Sequence, residues 1–227
     1  MSQANAPEEA KNLSLREDAV NFREITLESL VEFQEAMGIY VVSFPENERR
    51  PVAAIKEMLK CGGSRLIVGE KEVRVVFMAL LYPLAGTSFL LADYLATAEC
   101  CRGNGIGKAF LRHLLDEIAR KEFRFLLIQI ENPHLDDDEM KKKRLRFYKG
   151  LGMKEMMGVR YILPPLQGTK TTELVLMVNS REDEDCLDGK MVRDLVILMF
   201  GMLYDRHEGD ELLMSTLRSI PDLVRLD

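Results

Sequence analysis

The spacing of apolar residues changes several times along the chain, and each change marks an element. A short run at 21–25 reads as a strand. Thr26 then stands at a helix N-cap position, with Leu27, Leu30, Val31 and Met37 at roughly helical spacing behind it. The stretch 43–51 breaks that helix, and Pro51 suits the first turn of a second one over 52–60. Past the turn at 61–64 the pattern becomes strand-like. Runs at 65–69, 73–82 and 88–97 are rich in Val, Ile, Leu, Phe and Tyr, and the short breaks at 70–72 and 83–86 predict an antiparallel meander.

Helical spacing then returns. Ala109, Phe110, Leu111, Leu114, Leu115, Ile118 and Ala119 form one apolar stripe, with Lys108, Arg112, Asp116, Glu117 and Arg120 facing away. This helix ends near Lys121 and leads into a strand at 124–131, a unit long enough for a right-handed parallel crossover. A helix over 138–149 and strands over 153–163 and 172–179 complete the set. The expected class is α+β, with a central mixed, mostly antiparallel sheet of about seven strands flanked by helices.

Composition divides the chain into three parts. Residues 1–20 are polar, carry both signs of charge and lack the apolar core of a signal peptide, so they read as a flexible tail. Residues 21–180 form the folded domain. The charged run at 181–185 opens a C-terminal helical extension, 181–227, with helices at about 188–205 and 210–219 and Asp210 at the cap of the second. The extension is apolar enough to pack on the domain or on a second copy, as in a homodimer. The longest apolar run, around 195–204, is too short to span a bilayer, which takes roughly 20 residues. The expected setting is therefore soluble and cytoplasmic, with no membrane partner. A net charge of −6 over 227 residues argues against nucleic acid as a partner, since phosphate binding needs a basic surface. Cys61, Cys100, Cys101 and Cys186 show no CxxC pairing, and His113, His134 and His207 have no evident ligand partners, so neither a disulfide framework nor a metal site is expected.

The chemistry concentrates in Arg102-Gly103-Asn104-Gly105-Ile106-Gly107, set between an apolar strand and an amphipathic helix. Its glycines allow positive φ and close approach to the backbone, and the helix start offers free N–H groups to an anion. A Walker A loop would need glycine at Arg102 and Ser or Thr at Ala109; a dinucleotide fingerprint from Gly103 would need glycine at Lys108. Neither fits.

The pattern Arg-x-x-Gly-x-Gly at Arg102, Gly105 and Gly107 resembles the pyrophosphate motif of the GNAT N-acetyltransferase superfamily. Phe147-Tyr148-Lys149-Gly150-Leu151-Gly152-Met153 is similar to that family's aromatic-Tyr-x-x-x-Gly-Phe segment, with Met153 where phenylalanine is usual. The resemblance spans about 21–179. It implies acetyl-CoA as co-substrate, held by Arg102, Gly103, Asn104, Gly105, Ile106, Gly107 and Lys108, with the backbone of Leu95, Ala96 and Thr97 along the pantetheine. Asn132 is a further candidate contact, although the segment that follows it lengthens the family's spacing. The resemblance also implies acetyl transfer to an amine of a small molecule or peptide by direct attack in a ternary complex. Tyr148 matches the family's general acid, and Phe147 reads as the core residue of the pair. Asp93, Glu131 or a relayed water would serve as base. A non-catalytic acyl-CoA-binding module is the alternative that an intact glycine loop also supports.

Overall fold

The computed structural model describes residues 20–119 and 123–227, without the side chains of 117–119. The expected tail, up to residue 19, and the helix end near Lys121 lie outside the described residues. Strand β1 (Asn21–Ile25) pairs antiparallel with β2 (Arg65–Lys71), β2 with β3 (Arg74–Pro83), and β3 with β4 (Phe89–Thr97). β5 (Phe125–Glu131) lies parallel to β4. β6 (Lys154–Glu155) and β7 (Tyr161–Leu163) both pair with β8 (Thr172–Ser180), which runs antiparallel to β5. The result is an eight-stranded, mostly antiparallel mixed sheet in the order β1-β2-β3-β4-β5-β8-β6, with β7 also on β8.

Strand alternation divides the apolar side chains between two cores. Phe89, Leu91, Leu127 and Leu176 point to the face covered by α1 (Leu30–Ser43) and α2 (Val52–Lys60). Leu90, Ala92, Ile128 and Met177 point to the opposite face, under α3 (Ile106–His113) and α4 (Glu139–Lys149). Central strands buried on both sides need continuous apolar runs, which is why β3 reads as one. After His113 the helix continues as a wider π-helical turn, Leu114–Ala119.

Two expected elements differ. α1 starts at Leu30 rather than behind Thr26, because Thr26 is used in a turn: the Ser29 N–H donates to its carbonyl at 3.1 Å and the Glu28 N–H to its Oγ1 at 3.3 Å. The buried face of α1 is Phe33, Ala36, Met37 and Tyr40, a better helical repeat than the expected one, and it leaves Leu30 and Val31 exposed. The strand expected over 153–163 is two short strands, since Gly158 turns the chain at φ 81° and Met156 bridges to Leu226 near the C-terminus.

The C-terminal extension comprises β9 (Cys186–Asp188), α5 (Gly189–Tyr204), α6 (Glu211–Ser219) and β10 (Leu223–Arg225), with β9 and β10 paired. Asp188 and Asp210 cap the two helices through their carboxylates. Val192, Leu195, Val196, Met199, Phe200 and Leu203 of α5 belong to the same core as Tyr161 and Leu163. Each such burial stabilises by about 1.5–3 kcal/mol, so α5 is anchored on the sheet. Gly189 makes close packing possible at its start: a Cβ there would lie 2.0 Å from the Pro221 carbonyl oxygen. No helix among the described residues is long and apolar enough to cross a membrane.

Candidate functional site

The parallel neighbours β4 and β5 pair over Phe89–Ala92 and Phe125–Ile128, then part. Beyond that point β4 continues beside β3, and β5 beside β8. A bulge marks the fork: Ala92 pairs with Leu81 and Tyr94 with Leu80, which leaves Asp93 without a partner on β3. The extra residue shifts the alternation, so Tyr94 joins the core under α1 while Leu95 packs toward α3. The fork opens a cleft of about 460 Å³ that reaches residues of both sheet faces, from Arg102, Arg144 and Tyr148 on one to Arg50, Asp93 and Tyr204 on the other.

Past Arg102, at one end of the cleft, the chain offers a surface made of backbone, whose residues 103–108 are not themselves among the cleft lining. Gly105, at φ 75°, is the N-cap residue of α3, and no side chain caps the helix's first turn. Gly103 has φ 82°. A Cβ added at Gly103, Gly105 or Gly107 would meet nothing within 4 Å, so the loop borders open space. The helix's unsatisfied N–H groups and dipole suit an anion there. Ile106 is buried and anchors the helix, while Lys108 is exposed. Arg102 Nε donates to the Thr97 carbonyl at 3.3 Å, tying the loop to the end of β4, and the Asn104 amide donates to the Cys101 carbonyl at 3.2 Å.

The other end is made of buried side chains. Arg50 and Asp93 are both more than nine-tenths buried at the side chain, at 8% and 9% exposure. The Arg50 guanidinium lies 5.8 Å from the centre of the Tyr82 ring and 5.4 Å from that of Tyr204, and its Nη1 donates to the Leu203 carbonyl in the last turn of α5. Its Nε is 3.9 Å from Asp93 Oδ2, too far for a hydrogen bond. Arg50 Nε, Arg50 Nη2 and Asp93 Oδ2 have no hydrogen-bond partner among the described residues. Burial pushes the Asp93 carboxyl up to about 6, with the Arg50 charge pulling the other way. Tyrosines surround the pair. Tyr94 donates to the Glu48 carbonyl at 2.8 Å, and Tyr161 donates to Tyr204 Oη at 3.2 Å. Burial pushes Tyr40 and Tyr204 up to about 12, so both phenols stay neutral.

Of the residues singled out in the sequence, Asp93, Leu95, Ala96, Thr97, Arg102, Glu131 and Tyr148 line this one cleft. Tyr148 is half-buried against the core under α4; burial raises its pKa and the Arg144 charge opposes the rise. Phe147, expected in the core, is 39% exposed and meets Tyr148 edge-on at 5.1 Å. The helix turns Tyr148 inward instead, since Leu145 and Tyr148 share the face that meets the sheet. Glu131 is about one-third exposed, with Arg144 Nη1 at 3.5 Å. Asn132 lies just past the cleft: its amide donates to Glu173 at 2.9 Å and its oxygen accepts from the His134 N–H at 2.9 Å.

Sequence reasoning singled out none of Arg50, Gln129 and Tyr204, although the resemblance to the GNAT family implies an acceptor set against residues 38–51. In the sequence Arg49 and Arg50 are adjacent, close after Glu46 and Glu48. In the structure they separate: Arg49 donates to the Val41 and Phe44 carbonyls, while Arg50 turns into the cleft. Gln129 alternates with Ile128 and Ile130 on β5, and that period-two break in an apolar strand was the available signal. Tyr204 gave none, because its helix is remote in sequence.

No family model matches the chain, and no curated protein matches it. Solved structures do. An assigned acetyltransferase of the GNAT family from Bacteroides thetaiotaomicron is 22% identical, with a TM-score of 0.66 over 81% of this chain and 97% of that one. A GNAT-family acetyltransferase from Elizabethkingia anophelis, solved with acetyl-CoA bound, is 16% identical, with a TM-score of 0.52 over 72% and 99%. A ribosomal-protein-alanine N-acetyltransferase from Brucella melitensis is 18% identical, with a TM-score of 0.51 over 70% and 99%. At these identities the likeness is one of fold, and the fold is that of the GNAT acetyltransferases.

Proposed function

We propose that the protein is an acetyl-CoA-dependent N-acetyltransferase that acts on the amine of a small molecule or peptide by direct attack in a ternary complex. The observation that carries this reading is the forked β4–β5 cleft, which has a buried carboxylate in its wall and, just past its Arg102 end, an uncapped, glycine-opened helix start. The residues present fit the co-substrate. The first-turn N–H groups of α3 and the open space beside Gly103 and Gly105 suit a pyrophosphate, and the edge of β4 at Leu95–Thr97 has no β5 partner, leaving backbone groups for a pantetheine arm. Acetyl-CoA, when bound, supplies an acetyl group activated as a thioester.

The rest falls to the chain's own groups. Tyr148 stays protonated at neutral pH, because burial raises its pKa, and it holds a proton for the leaving sulfur. The Arg144 charge beside it lowers the cost of the phenolate left behind. Asp93, with its carboxyl at about 6, is ionised at neutral pH and takes the proton that the acceptor ammonium must lose. Glu131 is the weaker candidate for that step, since it is partly exposed and faces Arg144. The backbone N–H groups of β4 stabilise negative charge developing on the carbonyl oxygen. A cytoplasmic setting goes with this reading, and the four cysteines are unpaired thiols.

Two measurements test the proposal together: calorimetric titration with acetyl-CoA, and thiol release across amines, amino acids, polyamines and peptides. Binding with release that depends on one amine class supports it. Binding without release from any amine moves the reading to a non-catalytic acyl-CoA-binding module. Absence of binding removes both.

A further inference from the structure

Building on the N-acetyltransferase reading, we propose that the acceptor is a free amino acid, whose carboxylate binds the Nε–Nη2 edge of Arg50 while its amine faces Asp93. Unpaired ionic groups are costly to bury, by several kcal/mol each, and a folded chain normally satisfies them. Here three such atoms, Arg50 Nε, Arg50 Nη2 and Asp93 Oδ2, are buried and without hydrogen-bond partners among the described residues, and both residues line one open cleft. Nε and Nη2 share one edge of the planar guanidinium, the edge that takes a carboxylate through two parallel hydrogen bonds. The remaining nitrogen, Nη1, is already committed to the Leu203 carbonyl, and the tyrosine rings of residues 82 and 204 flank the group.

The other charged residues of the cleft are engaged. Glu131 lies beside Arg144, Glu48 accepts from Thr172 Oγ1 at 2.9 Å, and Arg102 is bonded to the end of β4. The open ionic groups therefore coincide at Arg50 and Asp93, 3.9 Å apart, with the unpartnered Gln129 Nε2 a further donor among the residues lining the cleft. A cation and an anion at that separation, each with free bonding capacity, are the complement of a zwitterion with its ammonium and carboxylate on one carbon. A simple amine would satisfy Asp93 and leave the arginine edge bare. A peptide N-terminus would bring an amide where the carboxylate is needed.

The transfer balances on these groups. The amino acid nitrogen forms a bond to the acetyl carbon as the carbon–sulfur bond breaks. Asp93 takes one ammonium proton before the attack and passes it to solvent. Tyr148 gives a proton to the sulfur, and the second nitrogen proton, lost as the amide forms, leaves to solvent, which reprotonates the tyrosine. Arg50 is a positioning residue in this scheme.

The test compares leucine, serine and glutamate with their amides and with the matching decarboxylated amines. One readout is calorimetric binding to the wild-type protein saturated with CoA; the other is kcat/KM for thiol release. The amino acids are expected to bind and to exceed the amides by about 100-fold or more in kcat/KM, because losing the carboxylate leaves buried donors unpaired. Arg50→Gln, checked for folding by its thermal melt, is expected to shrink that preference to about threefold or less with acetyl-CoA affinity kept. The wild-type comparison decides the matter even if the variant does not fold. Amides or decarboxylated amines that bind and react as well as the acids overturn the inference while leaving the acetyltransferase reading intact, as does a folded Arg50→Gln that keeps the preference. Failure of acetyl-CoA to bind the wild type overturns both.

Discussion

The two ends of the cleft are built on opposite principles. At the glycine loop, backbone groups face open space, side chains contribute little, and the surface is exposed. At the Arg50–Asp93 end, two ions sit among tyrosines and the bonding is done by side chains. A backbone site of this kind fits any ligand with a pyrophosphate. A side-chain site discriminates, because each buried donor left empty has a cost. On the proposed reading, the shared co-substrate belongs to the generic end and the distinguishing acceptor to the particular one. Substitutions at the two ends should separate in what they change.

The largest effect is expected between the ends. Tyr148→Phe keeps the ring and removes the proton. Thiol release should fall by about 10²–10⁴-fold, the usual contribution of a positioned acid, with acetyl-CoA affinity unchanged by calorimetry. An unchanged rate would remove Tyr148 as the acid without touching either binding site.

Asp93 tests the buried end. Its folded-state pKa of about 6 lies above the ordinary carboxylate value, and the group acts as a base only when ionised. Activity is therefore lost as pH falls: kcat/KM should drop about tenfold per unit below pH 6 and level off above it. The groups facing Asp93 are the Arg50 guanidinium and the tyrosines 40, 82, 94 and 204; burial raises those phenols and Arg50 stays cationic, so none of them produces a limb there. Asp93→Asn should lower the rate at neutral pH by about 10²-fold and abolish the acidic limb. A limb that persists near pH 6 in the variant would assign the base elsewhere, with Glu131 next in line. Stability carries the opposite sign. The folded state holds the Asp93 proton more tightly than the unfolded chain does, so this residue's contribution is full at low pH and lost as pH rises through about 6.

At the generic end, Gly105→Ala places a Cβ on a residue at φ 75°. The left-handed conformation costs roughly 1–2 kcal/mol without glycine, and the methyl enters the space an anion would use. The KM for acetyl-CoA should rise by about tenfold, while selectivity among acceptors, measured as the ratio of their kcat/KM values, stays as in the wild type. A change in that ratio would break the proposed division of labour.

The same contrast explains what the sequence made legible. Gly103 to Gly107 and Tyr148 carry meaning within a few neighbours, so local spacing was enough to single them out as candidates. The strand and helix order followed for the same reason, since period and turn residues are local. The two misplacements have different causes. α1 is displaced locally by the turn that Thr26 makes with residues 28 and 29, whereas Leu226 bridges Met156 and helps divide the expected 153–163 strand, a distant contact. The acceptor end is the extreme case. Arg50 meets Leu203 across 153 positions, and no pattern near either residue announces the other.

The extension that brings Leu203 and Tyr204 to the site offers the mildest test. Gly189 starts α5 with its N–H donating to the Asp222 carbonyl at 2.8 Å, and a Cβ there would fall 2.0 Å from the Pro221 carbonyl oxygen. Backbone must move to admit Gly189→Ala, an overpacking cost of about 1–3 kcal/mol. For a chain of this size that lowers Tm by roughly 2–4 °C per kcal/mol, readable in a thermal melt. A displaced α5 also shifts the Leu203 carbonyl that fixes Arg50, so the acceptor KM should rise severalfold while acetyl-CoA affinity holds. Loss of Tm with both substrate constants unchanged would make the extension a support for the sheet and nothing more. A rise confined to the acceptor KM would make it a wall of the acceptor site, and the particular end of the cleft would then depend on the last fifth of the chain.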